Sequence, residues 1–102
     1  MIKATEMAKM VKQHSNGVIE IVSAHFDDFF DRHMKETLIT KGGYMSVDTD
    51  NFLCYLRKKQ PFNHLHDADI LKRFVSELQE SGYIAELVRP PINPDYISVK
   101  VP

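Results

Sequence analysis

The residues best equipped for intermolecular chemistry lie on one amphipathic stretch and beside it. Lys72 and Arg73 carry cationic heads suited to anions, while Ser76 and Gln79 can both donate and accept hydrogen bonds. All four fall, with Asp69 and Glu80, on the outward face of the stretch Asp67–Gly82. A second basic group, Arg57-Lys58-Lys59, sits at the end of an earlier predicted helix. The helix dipole alone favours cations there. Arg89 and Lys100 flank a predicted C-terminal hairpin.

Other constellations carry less. His64-Leu65-His66-Asp67-Ala68-Asp69 gathers two imidazoles and two carboxylates, but a metal needs ligands converging at about 2 Å with supporting partners. Asp67 and Asp69 both have helix-start roles, so neither metal nor cofactor is expected. There is no glycine-rich phosphate loop, no CxxC and no nucleophile motif, which argues against an enzyme. Asp27, Asp28 and Asp31 form an acidic face, read as solvated, with Arg32 and Lys35 as partners at i,i+4 spacing. Cys54, beside Leu53 and Tyr55, is expected to be a small structural thiol.

These residues are mounted on a chain of 102 residues, enough for one modest core. Hydrophobic content of 43% and charged content of 26% are those of a soluble globular protein. The net charge of -1 excludes a global basic field that would recruit nucleic acid by itself. A single cysteine excludes an internal disulfide and fits a reducing compartment. With no signal-peptide pattern and no apolar run of about 20 residues, a cytoplasmic, non-membrane protein is expected.

Asp67 is the expected N-cap of the central helix, and Ile70, Leu71, Phe74, Val75 and Leu78 repeat on one face at a period of 3.6. Gly82 is suited to the left-handed residue that closes such a helix. The period then changes to two in Tyr83–Arg89 and again in Tyr96–Val101, with the proline-rich loop Pro90–Asp95 between them. Upstream, a short helix is expected over Thr5–His14, then a break at Ser15-Asn16-Gly17. A long helix from Val18 to about Thr40 follows, lined by Ile19, Val22, Phe26, Phe29, Phe30, His33 and Met34. His33 is expected in or near the core. Lys41-Gly42-Gly43 ends that helix, Tyr44–Val47 reads as a strand, and Asp48-Thr49-Asp50 caps a helix to about Lys59. The expected division is an N-terminal helical extension, residues 1–16, and a domain over 17–102.

From Val18 to Val101 the order is helix, short strand, helix, helix, strand, loop, strand. Together with the run Ile70–Ile84, an amphipathic helix closed by glycine and an apolar pair, this resembles the winged helix–turn–helix superfamily. The connection from Lys59 to Asp67 is longer than the 3–4-residue turn of a compact helix–turn–helix. The resemblance implies an α+β fold with a three-helix core, a short strand and a C-terminal hairpin. It also implies a nucleic-acid-binding regulator in which Lys72, Arg73, Ser76 and Gln79 read or anchor double-stranded DNA. Arg57, Lys58, Lys59, Arg89 and Lys100 would hold its backbone. A homodimer through Met7, Met10 and Val11 of the N-terminal helix is a further expectation. The alternative is a protein–protein adaptor or inhibitor on the same scaffold, using the wing loop and the acidic helix face.

Overall fold

In the computed structural model, which describes residues 1–102, the first helix, α1, spans Ala4–Ser23 without interruption. The expected break at Ser15-Asn16-Gly17 does not occur, and Gly17 keeps a negative φ. A helical glycine costs only about 1 kcal/mol relative to alanine. Here the tertiary contact outweighs that cost, because Ser15, Asn16 and Ile19 line a cleft against the central helix. The chain turns instead at Ala24-His25, where His25 N–H bonds to Val22 O at 3.0 Å.

The expected long helix is therefore a composite of α2 (Phe26–Phe29), a π-turn (Phe30–Met34) and α3 (Lys35–Thr40). The π-turn inserts one residue into the helical repeat. Phe26, Phe29, Met34 and Leu38 consequently reach the core, whereas His33 is exposed, with its ring against Phe29 and Tyr55. Of the two expected ion pairs, Asp28 meets Arg32 at 3.0 Å, whereas Asp31 and Lys35 are not paired.

Gly42 and Gly43 take positive φ values of 72° and 87° and lead into β1 (Tyr44–Asp48). Asp48 then caps α4 (Thr49–Lys59), its carboxylate accepting from Asp50 N–H at 2.8 Å and Asn51 N–H at 3.3 Å. After Pro61, Asn63 accepts from Leu65 N–H at 3.0 Å and starts a 3-10 turn, His64–His66. This runs directly into the central helix α5 (Asp67–Glu80). Asp67 is not its N-cap. The 3-10 turn already supplies the preceding helical turn, and the Asp67 side chain pairs with Arg57 instead. Gly82, at φ 96°, closes α5, with Tyr83 N–H bonded to Leu78 O at 3.0 Å.

Strands β2 (Ile84–Val88) and β3 (Tyr96–Lys100) form the wing hairpin, and β1 adds to the far side of β3. The sheet is open and antiparallel in the order β1-β3-β2, with Met45 and Ala85 both opposite Val99. Its buried face, built on Val47, Ala85, Ile97 and Val99, closes on the helices. At the centre of the core, Phe52 stacks on Phe74 at 4.2 Å between ring centroids, with Phe26 and Phe29 around them. Helix, strand, helix, helix and hairpin on a three-stranded open sheet make a winged-helix-like architecture, with α1 added at its N-terminus.

Contacts of α1 advance from the 3-10 turn into α5: His14 faces His66, and Glu20 pairs with Arg73. The two helices thus run in the same sense. Residues 1–14 are all exposed, and they extend past the start of α5 along a molecule 57 Å long and 30 Å wide.

Candidate nucleic-acid interface

Helix α5 has its apolar side in the core, which leaves a narrow outward ridge. Asp69, Lys72 and Ser76 form that ridge, and all three line clefts on both of its sides. Toward α1 the cleft is completed by Lys12, Ser15, Asn16, Ile19 and Arg73. Toward the wing it is completed by Gln79, Leu87 and Arg89, among others. The side chains of Lys72 and Ser76 make no hydrogen bond or ion pair within the chain, while their backbone groups belong to α5. Lys12 is a residue the sequence did not single out. Its segment reads as a separate helix, and only the uninterrupted course of α1 brings it to the cleft that Lys72 also lines.

The other expected contact residues are engaged locally to differing degrees. Arg73 Nη1 lies 2.9 Å from Glu20 Oε1, and its Nε lies 3.3 Å from Glu77 Oε2. The hydrogen bond to Glu20 is the chief reason its pKa is raised. Gln79 Nε2 donates to Ala85 O at 2.8 Å, tying α5 to β2. Arg89 Nε is 3.7 Å from Asp95 Oδ2 across the base of the wing loop. Arg57 pairs with Asp67, stands 3.2 Å from His64 Nδ1 and covers the Phe62 ring at 4.6 Å. It therefore clamps the end of α4 to the start of α5. Lys58 borders a different cleft, with His33 and Tyr55. Lys59 lies 3.9 Å from Asp28, and Lys100 stands at the end of β3 opposite Tyr44 and Ile84. Lys72, Arg73, Ser76, Gln79 and Arg89 are thus gathered on the clefts of α5. Arg57, Lys58, Lys59 and Lys100 do not line those clefts.

The acidic face divides in a similar way. Asp28 accepts from the Tyr55 hydroxyl and from Arg32 Nε, with Lys59 nearby, so it belongs to a network joining α2 to α4. The Tyr55 hydrogen bond, then that from Arg32, hold its pKa below the ordinary 3.8. A carboxyl depressed by folding stabilises the protein above its unfolded value, and that contribution is lost as pH falls through the folded value. The variant Asp28→Asn is expected to lose less stability than the wild type between pH 3.8 and more acid conditions. Urea midpoints measured across that window check this, and parallel slopes for the two proteins would dismiss the network. Glu77 acts in the opposite sense. Burial raises its pKa above 4.5, so its contribution declines as pH rises through that raised value.

No group of three or more His, Cys, Asp or Glu side chains is arranged to hold a metal ion. His64 Nδ1 faces the Arg57 guanidinium, and Asp67 is committed to the same arginine. Cys54 is exposed rather than part of the packed interior, because α4 turns Leu53 and Leu56 inward instead. No helix is long and apolar enough to cross a membrane. Comparison of the chain with protein-family models, with curated proteins and with solved structures yields no match in any of the three.

Proposed function

We propose that the protein is a small regulator that binds double-stranded DNA through α5 and the wing, acts in the cytoplasm and has no catalytic chemistry of its own. The observation that carries this reading is the ridge of α5, where Lys72 and Ser76 point outward without intrachain partners between clefts lined by Lys12 and Arg89. A lysine on such a ridge suits phosphate, and a serine suits a base edge. Arg73 and Gln79 support the ridge through Glu20 and Ala85, and Arg57, Lys58, Lys59 and Lys100 are assigned lesser backbone roles. Residues 17–102 would form the binding domain, with Lys12, Ser15 and Asn16 completing its cleft. Residues 1–11 would project from it and join a second copy through Met7, Met10 and Val11.

Fluorescence anisotropy with mixed-sequence duplex DNA at several salt concentrations tests the assignment. Affinity should fall steeply with salt, each neutralised phosphate adding roughly 0.9 to the log–log slope. Lys12→Glu with Lys72→Glu should weaken binding by at least about tenfold, since each substitution replaces attraction to phosphate by repulsion. No binding at the lowest salt would end this reading. A second reading then gains, that of a protein adaptor. It is favoured by Ile92, which is 95% exposed at the tip of a wing loop that carries no basic residue.

A further inference from the structure

Between α5, α2 and the start of β2 lies a small pocket. Its volume is about 240 Å³, below the roughly 300–1,000 Å³ of pockets that take drug-sized ligands. The occupant must therefore be small. Phe26 and Phe74, both nearly inaccessible, are among the rings that line it, with the half-buried Phe30 and Tyr83. Phe30 and Tyr83 lie 5.5 Å apart between ring centroids. Two carboxylates, Asp27 and Glu77, line the same pocket, and no lysine or arginine does.

The charge of Glu77 is only partly compensated. Its Oε2 is shut off from solvent and has no hydrogen bond of good geometry, although Arg73 Nε is an ion-pair contact at 3.3 Å. That arginine is shared with Glu20. Asp27 forms no ion pair and adds its charge to that of Glu77, as its contribution to the raised pKa of Glu77 also indicates. Aromatic rings have negative faces, and a cation beside them is attracted most where water is excluded. Rings and carboxylates together disfavour an anion and give a neutral apolar molecule no use for the two charges.

We propose that the pocket lined by Phe26, Phe30, Phe74, Tyr83, Asp27 and Glu77 binds a small organic cation, an alkylammonium of about the size of choline. Phe30 and Tyr83 receive the alkyl groups over a floor of Phe26 and Phe74, and the two carboxylates balance the charge. This site is independent of whether α5 touches nucleic acid. The test is a titration of the full chain, followed by NMR of its backbone amides, with choline chloride as the probe. Its uncharged isostere 3,3-dimethylbutan-1-ol and sodium chloride serve as controls. Choline should produce saturable shifts centred on Phe30, Glu77 and Tyr83, and the isostere should bind at least roughly tenfold more weakly. Asp27→Asn, at an exposed position, and Glu77→Gln should each weaken choline binding severalfold. The spectrum of the first variant reports that the fold is retained. Equal binding of choline and the isostere would overturn the proposal, as would shifts reproduced by sodium chloride or choline binding unchanged in Asp27→Asn.

Discussion

Replacing Phe52 with alanine is expected to lower the stability of the domain by about 3–5 kcal/mol. Phe52 has no exposed surface. Its ring stacks on Phe74 of α5 at 4.2 Å and meets Phe29 and Phe26 of α2 at 4.8 and 5.7 Å. Two helices thus converge on a side chain of a third, and no single neighbour can close the space left by its loss without leaving another contact. Partial collapse is the usual way a cavity becomes cheap, and this geometry resists it. For a domain whose total stability is on the order of 5–15 kcal/mol, the loss is a large fraction. Urea denaturation followed by far-ultraviolet circular dichroism measures it. A change below about 1 kcal/mol would mean that the stack does not organise the core.

The second large effect is expected at the other end of the molecule. Met7→Glu with Val11→Glu should abolish self-association while leaving the unfolding midpoint of the domain nearly unchanged. Met7, Met10 and Val11 are 43%, 52% and 57% exposed on the projecting half of α1. Val11 lies seven residues before the half-buried Val18, so the apolar stripe that packs on the domain continues into solvent. A helix of fewer than about 12–15 residues is marginal in water without a packing partner. In the proposed dimer an antiparallel second copy of α1 would supply one, and a two-fold arrangement would use the same patch on both chains. It would also bring the partner chain's N-terminus toward Leu65, which is 84% exposed beside the start of α5. Sedimentation velocity over a range of concentrations decides the matter. A wild-type protein that stays monomeric at millimolar concentration would remove the dimer from the proposal. If the dimer forms, the double variant should also bind DNA more weakly, because two linked ridges engage one duplex with a raised effective concentration.

The elements that could be read from the sequence are those specified by neighbouring residues. Asp48 before α4, Gly82 after α5 and the alternation in both wing strands act within a few positions, and each does in the structure what its chemistry dictates. Elements decided by distant contacts were not legible. Ser15-Asn16-Gly17 has the composition of a helix break, but packing against α5 holds it helical. His33 has the right spacing for the core, but a π-turn hands that place to Met34. The candidate site divides along the same line. The ridge residues Lys72 and Ser76 follow from the helical period of α5. The neutralisation of Arg73 by Glu20, fifty-three residues earlier in the chain, follows only from the fold. Lys12 was missed for the same reason.

The strand order has a consequence for biosynthesis. Of the three strands, β3 is made last, yet it lies in the middle of the sheet and supplies every pairing that β1 and β2 have. More than half of the chain separates Tyr44 from its partner Lys100. While a ribosome is still adding those residues, β1 has no strand to join, and its backbone donors and acceptors remain open to other nascent chains. The helices, closed by local contacts, can form and cluster around Phe52 during this interval. The sheet then assembles in a single late step, when β3 inserts between two waiting edges. A chain arrested before Tyr96 would retain a helical cluster with two unpaired strands, the form of this protein most exposed to aggregation and to cellular quality control.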